Sequence, residues 1–174
     1  MYELKNKLLL LCIVLSLVLV ACGSKEEEKP TTDEAGDKHG IKIDEKGNPK
    51  ETIQVNDKTE KAVKEVIEQN RKSLNEGNVD EYIKTIDSNS KQLDVKEEEK
   101  VLKDTLKNYK FDKKISNIKF LEDKKDQVVV FYSTETTAHP KDGSKEEKKS
   151  FKEAVTLIKK GDTYKISHVE PYAI

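Results

Sequence analysis

The chain has 174 residues, with Lys+Arg 33 against Asp+Glu 34 and 39% charged side chains against 34% hydrophobic ones. That length leaves room for one ordinary domain with appendages, and the polarity implies either a heavily charged surface or a stretch with no core of its own. A formal net charge of -1 and a single arginine, Arg71, argue against nucleic acid as a partner, because planar bidentate readout of phosphates and bases leans on arginine.

The chain opens with Lys5 and Lys7, and Glu3 is an unusual acid among them. Leu8 to Val20 is then apolar apart from Cys12 and Ser16. The run has the length of a secretory leader and is short for a bilayer span. It stops at Leu19, Val20, Ala21 and Cys22, and charged sequence follows at once. This ending resembles the lipobox of bacterial lipoproteins. The resemblance implies that a diacylglyceryl group is joined to the Cys22 thiol and that a signal peptidase cuts between Ala21 and Cys22. It also implies that the new amine is open to acylation. Two acyl chains anchor stably where one is marginal. A plain secretory leader, or a short uncleaved anchor, with an accidental cysteine is the alternative. On the lipoprotein reading, residues 1–21 are the leader and the rest is held on the extracytoplasmic face of the cell membrane. The lysine bias and charged tether suit the outer leaflet of a Gram-positive cell. Beyond Cys22 there is no cysteine, so neither a disulfide framework nor a thiolate zinc site can form there.

Residues 22–52 read as a lipidated cysteine followed by a disordered, charged tether. Lys, Glu, Asp, Gly and Pro dominate it, and Ile41 and Ile43 are its only strongly apolar side chains before Ile53. Such a segment buries too little surface to offset its ordering entropy. A flexible chain of about 30 residues reaches roughly 30 Å.

Residues 53–174 read as the folded domain. Asp57 with Glu60 forms a capping box, and Ala62, Val63, Val66, Ile67, Asn70 and Leu74 recur at helical spacing up to Gly77. Asn78 with Glu81 opens a short helix carrying Tyr82, Ile83 and Ile86, which the stretch Asp87 to Ser90 breaks. Asp94 with Glu97 opens a third helix carrying Val95, Val101, Leu102, Leu106 and Tyr109; its acidic run Glu97 to Glu99 reads as a solvated face. The period then changes to two. Strands are predicted over Ile115–Leu121, Gln127–Thr137, Lys149–Lys159 and Thr163–Glu170, with a wide polar loop from Ala138 to Lys149. Three helices followed by a four-stranded antiparallel meander make an α+β domain. About 120 residues form one core, too few for a two-lobed solute-binding protein.

Two stretches carry a further resemblance, Val66 to Asp87 and Lys159 to Tyr172. The domain resembles the nuclear transport factor 2-like, or cystatin-like, superfamily, which includes ketosteroid isomerase-like proteins and many small bacterial lipoproteins. The resemblance implies a curved sheet wrapped around the long helix as a cone, with any active site inside it. Only a short segment joins the second and third helices, which implies a smaller cone than in the larger members.

Within such a cone, Tyr164, Ile166 and His168 share one strand face by period-two spacing. His168 is the weak catalytic candidate, a general acid or base, with Tyr82, Tyr132 and Glu153 as pocket company. A half-buried histidine bonded to a neighbour is the plainer reading, and no motif supplies a carboxylate partner. His39, His139 and His168 lack metal-ligand spacing, and no phosphate loop or serine-hydrolase elbow is present, so no metal or cofactor is expected beyond the lipid on Cys22.

Three functions stay open. The favoured one is a non-enzymatic envelope module that binds wall polymer, a small ligand or a membrane-protein partner. The second is an isomerase- or cyclase-type enzyme using His168. The third is a structural or regulatory subunit, dimeric through the open sheet face.

Overall fold

A computed structural model describes residues 41–172. The leader, Cys22 and the first part of the tether lie outside the described residues. Three helices, α1 (Asp57–Glu76), α2 (Val79–Lys84) and α3 (Val95–Asn108), precede strands β1 (Tyr109–Asp123), β2 (Gln127–Pro140), β3 (Glu147–Lys160) and β4 (Thr163–Tyr172). The strands form one antiparallel sheet in the order β1-β2-β3-β4. This is the α+β arrangement read from the sequence.

Local chemistry sets the helix ends. Asn56 caps α1, one residue before the expected Asp57, by accepting from the Thr59 N–H at 2.9 Å. Gly77 ends it at φ 68, a conformation that glycine takes without a Cβ clash. Its N–H donates to the Leu74 carbonyl at 3.1 Å, and the Asn78 N–H to the Ser73 carbonyl at 2.8 Å, which closes a Schellman turn. Asn78 and Asp94 cap α2 and α3 as expected.

The concave face of the sheet holds α1. Val63, Val66 and Ile67 pack against Phe120, Val128, Val130, Val155, Leu157 and Ile166 in the main core. A second cluster joins Leu74, Tyr82, Ile86 and Leu102 to Phe111 and Ala138 near the far end of the β1–β2 hairpin. The strands run longer than predicted. β1 starts at Tyr109, because Phe111, Lys113 and Ile115 alternate inward although polar residues separate them. β2 extends to Pro140 and β3 begins at Glu147, so the loop between them is narrower than expected.

Both sheet edges are covered at chosen points. On β1, the Asn75 side chain mimics a neighbouring strand: its Oδ1 accepts the Lys113 N–H at 2.7 Å and its Nδ2 donates to the Lys113 carbonyl at 3.0 Å. Farther along, the Ile53 N–H donates to the Phe120 carbonyl at 2.9 Å. On β4, Ile166 exchanges backbone bonds of 2.8 Å with Thr85 and Asp87.

Residues 41–52, read from composition as tether, are folded against the convex face. Ile41 and Ile43 pack on Phe131, Ala154 and Tyr172. The Asp44 carboxylate accepts the N–H groups of Lys46 at 2.9 Å and Asn48 at 2.7 Å, and a bridge pairs Ile43 with Pro49. The Lys152 ammonium donates to the Lys46 carbonyl and to Asn48 Oδ1. Two isoleucines suffice here because the sheet supplies the rest of the apolar contact, which composition alone cannot register.

Candidate functional site

The inner face of the cone carries a strip of polar side chains. Tyr132 on β2 stands directly across from Glu153 on β3. Lys113 reaches in from β1, with Nζ 3.4 Å from Glu153 Oε2, and Thr134 Oγ1 donates to Glu153 Oε1 at 3.4 Å. From the helical side, the Tyr82 hydroxyl donates to Glu98 Oε1 at 3.3 Å. Asn70 on α1 donates to Thr85 Oγ1 at 2.8 Å, and that hydroxyl donates to the Tyr82 carbonyl at 2.6 Å.

All of these groups are nearly closed to solvent. Exposure is 6% for Tyr82, 3% for Tyr132, 1% for Glu153, 4% for Glu98 and 3% for Lys113. Burial pushes the Tyr82 and Tyr132 hydroxyls well above the usual phenol range, and the carboxylates of Glu98 and Glu153 beside them add to the effect. Burial also pushes the Glu98 carboxyl up to about 7, against the Tyr82 hydrogen bond that pulls it down. A carboxyl titrating near neutrality suits acid–base chemistry in an open site. Here the carboxyl is 4% exposed and accepts the Tyr82 hydroxyl.

The structure therefore brings Tyr82, Tyr132 and Glu153 onto one strip and leaves His168 out. Tyr164 lies in the main core, 5% exposed. His168 is on the opposite face of the sheet from Tyr164 and Ile166. The cause is a register shift: Leu157 pairs with Ile166, but Thr156 pairs with His168. Ser167 is the extra residue, and past it the alternation inverts. Val169 packs toward the main core, and His168 and Glu170 face outward.

Glu98 and Lys113 were missed. The acidic run opening α3 is solvated at Glu97 and Glu99, but Glu98 is buried. It lies three residues after Val95 and four before Leu102, hence on the same helical stripe. Lys113 sits between Phe111 and Ile115 at period-two spacing. His139 lies near the strand end with Nδ1 2.6 Å from Glu146 Oε1. Among the described residues, no group of His, Cys, Asp or Glu is arranged to hold a metal ion, and no helix is long and apolar enough to cross a membrane.

The convex face holds a cavity of ≈ 420 Å³ between residues 41–52 and the sheet. Ile41, Leu121, Val129 and Ala154 give it apolar walls, and His168 and Glu170 stand at its polar side.

The protein-family comparison matches residues 65–173 to the C-terminal domain of the anti-sigma-I factor RsgI9. The chain belongs to that family. The RsgI9 C-terminal match spans the three helices and four strands from the middle of α1 onward. No curated protein matches the chain. Among solved structures, a candidate scytalone dehydratase from Novosphingobium aromaticivorans is similar at 11% identity and TM-score 0.59, over 67% of this chain and 85% of that one. A candidate aromatic ring hydroxylase from the same organism is similar at 8% identity and TM-score 0.64, over 70% and 93%. A protein of unknown function with a cystatin-like fold from Nostoc punctiforme is similar at 12% identity and TM-score 0.55, over 68% and 93%. These likenesses are of fold, and they agree with the nuclear transport factor 2-like cone read from the sequence.

Proposed function

We propose that this protein is a membrane-anchored extracytoplasmic lipoprotein whose RsgI9 C-terminal-type domain binds a partner and carries out no reaction. The observation that carries the reading is the division of the two faces. Inside the cone, Tyr82, Tyr132, Glu153, Glu98 and Lys113 are 1–6% exposed and partnered by one another, as befits a specified core. Outside it, the convex face presents the cavity. The family supports the same view, since a C-terminal domain of an anti-sigma factor suits receiving or relaying a signal. The dehydratase and hydroxylase names belong to chains 11% and 8% identical to this one, and His168 stands away from the cone. A dimer through the open sheet face would have to displace Ile41 and Ile43 from Phe131, Ala154 and Tyr172.

The anchor would be the diacylglyceryl group on Cys22, with cleavage after Ala21. Intact-mass measurement and membrane fractionation of wild type and Cys22→Ala test it. The expected result is a lipid-modified, membrane-bound wild type and an unprocessed, unlipidated variant. Processed, membrane-bound Cys22→Ala would refute the anchor. For the binding role, a photo-crosslinker placed at Gln127 on the convex face should yield a defined adduct in intact cells. An adduct formed only from a cone position such as Tyr132 would refute it.

A further inference from the structure

Residues 41–53 form a strap that differs from the rest of the domain in how it is held. Its turn is internal, built by Asp44, with the Lys50 N–H bonded to the Lys42 carbonyl at 2.8 Å. Among the described contacts, it meets the sheet through the side chains of Ile41 and Ile43, the bond from Ile53 to Phe120 at 2.9 Å and the Lys152 side chain, and its Pro49 is buried. Ile41 and Ile43 are only partly buried, whereas Phe131, Ala154 and Tyr172 beneath them are 3%, 5% and 3% exposed. The sheet's apolar patch thus owes its cover to a short segment whose two isoleucines stay partly exposed. Local opening draws on such elements, because they lose little when they detach.

We infer that the convex face is a docking groove for an extended segment carrying two branched aliphatic side chains two residues apart, and that this chain keeps the groove closed with its own strap. The strap supplies the chemistry of the partner. Isoleucines at 41 and 43 fall on one side of an extended backbone and meet one apolar cluster, while the Lys152 ammonium takes up a backbone carbonyl and an amide oxygen beside them. A competing segment needs the same aliphatic pair with an acceptor a few residues on. Release of the strap also removes Ile41, Lys42 and Glu51 from the cavity wall, so groove and cavity open together. The strap lies on the chain between Cys22 and the domain, so on the proposed anchoring any pull from the membrane acts on it first. The groove itself does not depend on that anchoring.

The test uses the full chain and a synthetic peptide of residues 41–53. Hydrogen exchange is read at Gly47, Lys50 and Ile53 in the strap and at Val130 and Val155 in the core. The strap amides should exchange at least 10-fold faster than the core amides. Equal rates would mean that the strap opens only with the whole domain, and would overturn the inference. Next, the labelled peptide is titrated onto wild type and onto the Ile41→Asp/Ile43→Asp variant, with protection of Val130 and Val155 reporting that the variant is folded. An attached strap competes at an effective concentration in the millimolar range, so the peptide should bind the variant at least 10-fold more tightly than wild type. Lys152→Ala offers a second, milder way to loosen the strap if the double variant is unfolded. Absence of binding to the loosened chain, or equal binding of a peptide with both isoleucines replaced by serine, would overturn the groove.

Discussion

Replacing Glu98 with Gln should stabilise the domain at neutral and alkaline pH and leave it unchanged in acid. The Glu98 carboxyl is 4% exposed, and burial moves it from 4.5 to about 7. Between those values the folded state holds a proton that the unfolded state has released. Stability referred to this group is therefore full below 4.5, falls as pH rises toward 7, and levels off above it. At 1.36 kcal/mol per pH unit the loss is about 3 kcal/mol. Glutamine keeps the volume and a partner for the Tyr82 hydroxyl, and never ionises. Urea titrations of both proteins from pH 4 to pH 9 give the difference directly, which cancels the contributions of every other titrating group. The expected curve is near zero at pH 4 and reaches about 3 kcal/mol by pH 8, or roughly 10 °C in melting temperature for a domain of this size. A difference that does not vary with pH would refute the assignment of Glu98 as a buried carboxyl that must charge at neutrality.

Lys113→Ala should cost about 3–5 kcal/mol in a denaturant titration, because Glu153, at 1% exposure, loses the cation placed beside it. Lys113→Met with Glu153→Leu should recover most of that loss, since the pair's desolvation is avoided. Asn75→Ala removes two bonds, at 2.7 and 3.0 Å, from the β1 edge and should cost about 2 kcal/mol by thermal melting. Gly161→Ala places a Cβ at φ 64 in the β3–β4 turn and should cost about 1 kcal/mol, measured the same way.

The helices were legible because their signals are local. Asn78 and Asp94 announce their caps, and Gly77 closes α1 where the apolar spacing ends. The strands were legible as segments but not at their ends. In β1, the polar residues Lys110, Asp112 and Lys114 hide the inward series Phe111, Lys113 and Ile115, which becomes recognisable only when α1 stands opposite. The site was half legible. Tyr82, Tyr132 and Glu153 face inward at the spacings that the pattern gives them. His168 does not, because a single extra residue at Ser167 inverts the alternation, and nothing in the serine itself marks a bulge. Glu98 was hidden by its neighbours, since a run of three acids reads as solvent-facing until Val95 and Leu102 fix which of them points to the core. The strap was hidden for a related reason. Its two isoleucines are a poor core on their own and an adequate one against a surface that another part of the chain provides.

The buried strip and the covered edges serve the same end. A cone of this size filled only with aliphatic side chains could shift α2 and α3 along the sheet at small cost. The Tyr82–Glu98 bond ties α2 to α3, and the Lys113–Glu153 pair ties β1 across β2 to β3, so that sliding breaks hydrogen bonds in a medium that cannot replace them. At the edges, Asn75 and Ile53 occupy backbone groups of β1, and Thr85 and Asp87 occupy those of β4. Strand pairing between copies is thereby blocked at those positions. On the proposed anchoring this matters more than it would in dilute solution, because molecules tethered to one membrane meet at high local concentration. The convex face is covered differently, by a strap that meets it through two isoleucines, one backbone bond and one lysine, with Pro49 buried.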